Sequence, residues 1–307
     1  MKILIAYDGS GYSHSILRDL EFAGLPNRAE VLMISVSEAW LSPTTVDVGD
    51  DTRVEDDTFE YFRKHSEQMD RNLEGTRGII VEAKEELQRL FPKWIIDTES
   101  TTGSPGQAIL QRAVAFSPDL IAVGARGLSS DTGSGLGSVA QKILSESQIP
   151  VRIVRGNVES DSDRLKIAIC FDNSPRSLEA VETVALRYWR GKPDFRLYVI
   201  TDPLVALIPG RAFQVIPGIP EGRMKGEEKW VKFLAEKGMK ILRNAGLAGS
   251  VHIYSGNPRV MLVNETNEWK ADTIFIGKNS QRSNSLGCVA SAVASRASCT
   301  VETIIKR

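Results

Sequence analysis

Short apolar runs alternate along this chain with longer stretches in which apolar residues return every three or four positions. Ile3-Leu4-Ile5-Ala6 and Leu120-Ile121-Ala122-Val123 are continuous runs, the mark of strands covered by helices on both faces of a parallel sheet. The pattern predicts strands near 2–7, 30–36, 94–100, 119–123 and 151–155, and helices near 11–21, 57–90, 105–116 and 138–147. Ser104-Pro105-Gly106-Gln107 reads as a helix start, with Ser104 as cap, Pro105 at the first helical position and Gln107 closing a capping box. Phe59, Phe62, Met69 and Leu73 follow helical spacing, although Gly75 and Gly78 interrupt it. Trp230, Phe233, Leu234, Ile241 and Leu242 predict the matching long helix farther on, with this stripe in the core.

The pattern occurs twice. Lys2-Ile3-Leu4-Ile5-Ala6-Tyr7-Asp8-Gly9-Ser10 is echoed by Lys166-Ile167-Ala168-Ile169-Cys170-Phe171-Asp172-Asn173-Ser174. Gly103-Ser104-Pro105 returns as Gly256-Asn257-Pro258, and the strand ending in Gly124 returns ending in Gly277. The order is the same in both halves, so the chain is a tandem duplication. The short, polar, acidic stretch 156–164 lies between the copies and suits a linker, with domains expected over 1–156 and 165–307. Alternating strands and helices imply a doubly wound α/β sheet in each half. Such sheets bind ligands beyond the carboxyl ends of their strands.

Composition narrows the chemistry. The 307 residues carry 38 basic and 39 acidic side chains, a balance that leaves no electrostatic footprint for nucleic acid or anionic lipid. No apolar run approaches the roughly 20 residues that span a bilayer, and the N-terminus reads as a first strand and not a signal peptide. Three widely spaced cysteines suit a reduced, cytoplasmic protein. Three scattered histidines and the lack of C-x-x-C argue against zinc, and neither a Walker-type loop nor a nucleophile elbow is present. Cys170, inside an apolar run, reads as a buried structural thiol.

The most informative segment runs from Val123 to Ala140, with glycines at 124, 127, 133, 135 and 137. It follows a strand and opens a helix. Glycines let a backbone approach a phosphate closely, and amides at Gly137, Ser138 and Val139 would meet it at the positive end of the helix dipole. Ser138 adds a hydroxyl and Arg126 a charged donor, a cradle that needs neither lysine nor metal. A plain glycine-rich surface loop is the competing interpretation. Asp8, at the end of the first strand, could accept from ribose hydroxyls or an adenine amino group, or could simply cap the next helix with Ser10.

Gly124-x-x-Gly127, nine residues, then Gly137-Ser138 resembles the ATP-binding signature of the universal stress protein family. The strand ending in Asp8, the Gly103-Ser104-Pro105 turn and the strand Val151-Arg152-Ile153-Val154 resemble that family too, over nearly all of both halves. The resemblance implies two tandem five-stranded parallel sheets, Rossmann-like and akin to the adenine nucleotide α-hydrolases. It implies ATP, with or without Mg2+, as ligand of the first half. Asp8 would contact ribose or adenine, Tyr7 would flank the base, and Val36 would offer its backbone to the adenine edge. Gly124, Gly127, Gly137 and Ser138 would hold the phosphates, with Val139 and Ala140 adding backbone contacts and Arg126 a further phosphate partner. It also implies that 151–155 and 301–305 meet in a pseudo-dimer within the chain, with a homodimer of chains as a further option.

The second half keeps Asp172 but has Ser280 in place of the second glycine, a shorter loop over 281–286, and Gly287-Cys288 in place of glycine-serine. Lys278 could partly offset the loss as a point charge. The expectation is an ATP-binding stress-response regulator whose second domain binds weakly or not at all. A weak ATPase or adenine-nucleotide hydrolase-type enzyme is the first alternative, although the loop after Asp8 lacks the expected serine-glycine-glycine pattern. A scaffold without nucleotide is the second. The apolar, proline-bearing stretch 203–223 reads as a cover for the vacant site or a dimer surface, and 38–56 as an acidic surface loop.

Overall fold

A computed structural model describes residues 1–38, 73–127, 135–156, 164–201, 224–278 and 288–305. In the first half, β1 (Lys2–Ala6), α1 (Gly11–Asp19), β2 (Glu30–Glu38), α2 (73–90), β3 (Ile95–Gly103), α3 (Pro105–Phe116), β4 (Leu120–Gly124), α4 (Ser138–Glu146) and β5 (Val151–Val154) follow one another. The second half repeats the order: β6 (Lys166–Cys170), α5 (Pro175–Ala185), β7 (Asp194–Thr201), α6 (Met224–Asn244), β8 (Gly249–Ser255), α7 (Pro258–Glu268), β9 (Thr273–Gly277), α8 (Cys288–Arg296) and β10 (Thr300–Ile304). The predicted strands and helices are present. Helix α2 runs through both Gly75 and Gly78, so neither breaks it; the expected stretch 57–72, the loop 38–56 beyond Glu38 and the segment 203–223 lie outside the described residues.

The two expected five-stranded sheets are one. Ten strands lie in the order β3-β2-β1-β4-β5-β10-β9-β6-β7-β8, parallel within each half and antiparallel only where β5 meets β10. Val301 faces Ile153, Glu302 faces Arg152 and Thr303 faces Val151. The intrachain pseudo-dimer expected from the last strands is therefore realised in the backbone.

Alternation along β5 and β10 separates the two faces of the join. On one face, Val151, Ile153 and Val301 belong to a core that runs without interruption from Leu4 and Ile34 under α3 and α4 to Ile274 and Val293 in the second half. On the other face the cores under α1 and α2 and under α5 and α6 are separate. Between them the fully buried Arg152 donates from Nε to Asp19 (2.5 Å), from Nη1 to Glu302 (2.9 Å) and from Nη2 to Asp19 and Thr273 (3.1 and 3.2 Å). Thr300 donates to Asp19 at 2.7 Å, and Arg187 pairs with the other oxygen of Glu302. Two cations and two anions thus neutralise one another where the halves meet, as buried charge requires.

Helix starts follow the cap-then-helix device in both halves. Ser10 accepts from Ser13 N–H at 3.2 Å and Ser174 from Ser177 N–H at 3.2 Å. Asn257 caps α7 by accepting from Arg259 N–H at 3.0 Å. Ser104 does occupy the cap position of α3, but its side chain makes no capping bond, so the expected capping box is not formed. In α6, Leu242 is buried as expected, whereas Phe233 is 68% exposed and lies outside the core stripe.

Candidate functional site

At the carboxyl end of the first half-sheet, β1 stops at Ala6 while β2 runs on to Glu38. Tyr7 N–H still bonds to Ile34 C=O at 2.9 Å, which turns the backbone groups of Ile34 toward β1. Strand alternation turns those of Val36 the same way, into the gap that β1 has vacated. One N–H and one C=O of Val36 therefore face the crevice, a pair suited to the edge of a heteroaromatic base.

Asp8 begins the turn out of β1, which Gly9 completes at φ +80°. Its Oδ1 accepts Ser10 N–H at 3.0 Å, and the same bond joins Asp172 to Ser174 in the second half. Asp8 thus braces the turn while Ser10 caps α1, and the turn role does not depend on the glycine loop. The other oxygen, Oδ2, lies against Gly127: a Cβ built there would stand 2.7 Å from it. The structure therefore brings Asp8 together with Gly127, the second glycine of the signature.

Tyr7 is placed differently from a residue open to a base. It is 6% exposed, packed among Ile16, Leu87 and Val31, with its hydroxyl 3.4 Å from His14 Nδ1. Burial, reinforced by the Glu86 and Asp8 charges, pushes that hydroxyl's pKa upward. The ring is a core element and offers a ligand little surface.

The loop's glycines divide by function. A Cβ on Gly124 would meet Tyr12 Cβ at 3.0 Å and Ser13 N at 3.1 Å, so this glycine lets the first turn of α1 pack on the end of β4. Gly277 repeats the arrangement against Arg176 C=O at 2.5 Å, which explains why the second half keeps it after losing the rest of the signature. Gly137 donates its N–H to Ala125 C=O at 2.8 Å, so this amide is spent on closing the loop and is not the free donor expected from the sequence. It leaves Ser138, Val139 and Ala140 as the first turn of α4, whose amides have no partner within the helix. Among the described residues no side chain caps that end, and Ser138 is exposed there. Arg126 lies alongside, its Nε 3.4 Å from Gly135 C=O.

The corresponding place in the second half is built otherwise. Lys278 does not point toward a phosphate. It is 2% exposed and its Nζ donates to Leu144 C=O and Ser147 C=O, both at 2.8 Å, at the far end of α4 in the first half. The compensation that its charge could have provided is thus not available. Ser280, the loop 281–286 and Gly287 lie outside the described residues. Cys170 and Cys299 are buried free thiols; burial pushes both up, Cys299 to about 12.

The residues that sequence reasoning missed are Arg152, Asp19 and Glu302, while Lys278 is singled out but for a different role. A signal was present for the first and third: opposite charges occupy one position in the two repeats of an otherwise apolar last strand, Val151-Arg152-Ile153-Val154 and Val301-Glu302-Thr303-Ile304.

Comparison with known proteins agrees with this architecture. A family model for the universal stress protein family matches residues 1–155 and again 164–304. A universal stress protein of Thermus aquaticus, encoded 3′ of a QAH/OAS sulfhydrylase, is 45% identical over 53 residues, 17% of this chain. That match spans 39% of the relative's own length. Among solved structures, a universal stress protein of Archaeoglobus fulgidus DSM 4304 is similar at a TM-score of 0.63 and 18% identity, covering 100% of this chain and 98% of that one. A functionally unknown protein of Pseudomonas aeruginosa PAO1 is similar at 0.57 and 13% identity, covering 99% and 92%. At such identities these two likenesses concern the fold.

Proposed function

Because the chain belongs to the universal stress protein family, matched by both halves, we propose that it is an ATP-binding stress-response regulator whose nucleotide sits in the first half alone. The observation that carries this is the uncapped first turn of α4, opening beside Asp8 at the mouth of the crevice. Amides of Ser138, Val139 and Ala140 would hold phosphate oxygens, with the Ser138 hydroxyl and Arg126 adding donors. Gly127 would let the phosphate chain pass close to the loop, and Gly124 and Gly137 would keep the loop folded. Asp8 Oδ2 would accept from ribose, and the backbone of Val36 would read the adenine edge. Tyr7 would support the crevice floor from within the core. Mg2+, if it accompanies ATP, would be held chiefly by the phosphates.

Retention suits this set of groups better than turnover. Asp8 already spends one oxygen on Ser10 N–H, which fits an orienting carboxylate and not a base. Nucleotide would then act by being held, and its presence would be read by a partner. In the second half, Lys278 is committed to α4 and the glycine-serine pair is absent from the sequence, which supports a single site.

Isothermal titration with ATP tests the proposal. One site per chain is expected, with S138A weakening it by roughly tenfold or less as one charge-assisted donor is lost. Two equivalent sites, or no heat with ATP at any concentration up to millimolar, would overturn it. Mass spectrometry of small molecules released from the purified protein gives an independent reading.

A further inference from the structure

Helix α4 has two ends with different owners. Its first turn faces the candidate nucleotide site, and its nine residues place its last turn about 13 Å away, at the join between the halves. There the chain turns sharply: Ser147 N–H bonds to Ile143 C=O, and the Ser147 hydroxyl both donates to Ile149 C=O and accepts Ile149 N–H, each at 2.9 Å. Ser147 is 2% exposed, so water cannot readily serve the carbonyls left over by the helix end. Leu144 C=O and Ser147 C=O are served instead by Lys278 Nζ, which comes from the end of β9 in the other half. Among the described residues this ammonium forms no ion pair.

A cation at a helix C-terminus complements the negative end of the helix dipole, and an anion at the N-terminus complements the positive end. The position of Lys278 in the repeat is that of Ala125 in the first half, as the matching bonds Lys278 N–H to Ile304 C=O and Ala125 N–H to Val154 C=O establish. The second half has therefore acquired a cation at the rim of its own degenerate site, and that cation has gone to the helix that opens the first half's site. Contact runs the other way too. Arg155, leaving β5, donates to Ala294 C=O in α8, the counterpart of Leu144 C=O in α4. Burial, and beyond it the neighbouring Arg126 charge, hold Arg155 below its ordinary pKa.

We propose that Lys278 is a positioning residue for the nucleotide site of the first half: it fixes the far end of α4, and so aims the Ser138–Ala140 amides at the phosphates. The second half, which has lost its own cradle, thereby completes the other one. This rests on the nucleotide site proposed above. Lys278 acts only on the phosphate-binding helix, and Asp8 and Val36, which would hold the nucleoside, stand in the turn after β1 and on β2. Its removal should therefore weaken ATP and spare adenosine.

The test is titration of the full chain with ATP and with adenosine, in wild type, K278M and K278R, with urea unfolding of each. K278M should unfold cooperatively, bind ATP about fivefold more weakly, and bind adenosine within about twofold of wild type, the range expected of one charge at a helix end. K278R, which keeps the charge, should recover most of the ATP affinity. If K278M fails to fold, K278Q, which keeps a donor without the charge, takes its place with the same expectations. A folded variant that binds ATP as wild type does would overturn the proposal, as would equal losses for ATP and adenosine. Wild type that binds neither ligand would instead overturn the nucleotide site itself.

Discussion

The substitution R152M removes the centre of the buried charge cluster at the join. In wild type Arg152 makes four hydrogen bonds, two of them to Asp19, which is 1% exposed. Methionine fills much of the volume, so the loss is electrostatic more than steric. Glu302 keeps Arg187, but among the described residues Asp19 keeps only the Thr300 hydroxyl. A buried carboxylate stripped of its cation costs about 3–5 kcal/mol, a large part of the roughly 5–15 kcal/mol that holds a typical domain folded. At about 2–4 °C per kcal/mol for a domain of this size, melting should fall by roughly 10 °C. Most of that should be restored by R152M/D19N, because the stranded charge and not the lost bonds carries the penalty. Calorimetry and urea unfolding followed by circular dichroism measure both variants. A cost below about 1 kcal/mol, the range of a surface pair, would refute the arrangement, as would a double variant no more stable than the single one.

Three further outcomes follow from single positions. G277A should cost about 1–3 kcal/mol, since its Cβ would meet the Arg176 carbonyl at 2.5 Å and backbone cannot step aside; urea unfolding measures it, and a loss within 0.5 kcal/mol would contradict the packing. G127A meets only the end of the Asp8 side chain at 2.7 Å, so its stability should change little, whereas ATP affinity should fall several-fold as that carboxylate is displaced; titration beside a melting curve separates the two. Burial holds Lys278 down to about 8, against 10.5 for an unperturbed lysine. Between those values the unfolded chain binds more protons, so wild-type stability should rise relative to K278M as pH goes from 7.5 to 9.5, and a flat or falling difference in urea unfolding would refute the burial of a charged ammonium.

Much of the fold was legible because repeated short patterns fix it. Apolar runs gave the strands, and the duplicated Asp8 and Asp172 turns gave the register of the two halves. Fusion of the sheets followed only from family resemblance, since nothing in a strand's own pattern names its neighbour. At the site, the sequence pointed to Asp8, Gly127 and Ser138 together, and the structure brings Asp8 Oδ2 against Gly127. It could not tell a glycine that spares room for a helix, such as Gly124, from one that spares room for a ligand, because both needs are met by the same missing Cβ. Nor could it show that Gly137 spends its amide on Ala125, which depends on how the loop closes. Lys278 misled for a related reason: a lysine beside a site in sequence has a four-carbon stem, and here it reaches the other half of the molecule.

The join also explains why the two halves can differ. In a two-fold homodimer each residue on the axis meets its own copy, so the contact must be self-complementary. Here Arg152 and Glu302 occupy the same place in the two repeats and face each other across the pseudo-axis. Pairing β5 with another β5 would bury arginine against arginine, and pairing β10 with another β10 would bury glutamate against glutamate. Each last strand is therefore suited to the other and ill suited to itself, which favours the pairing of unlike strands over like ones. Once the halves are joined covalently, a change in one can be answered by a different change in the other. Lys278 and Ala125 are such a pair: one position of the repeat carries a lysine that reaches α4 in one half and a buried alanine in the other.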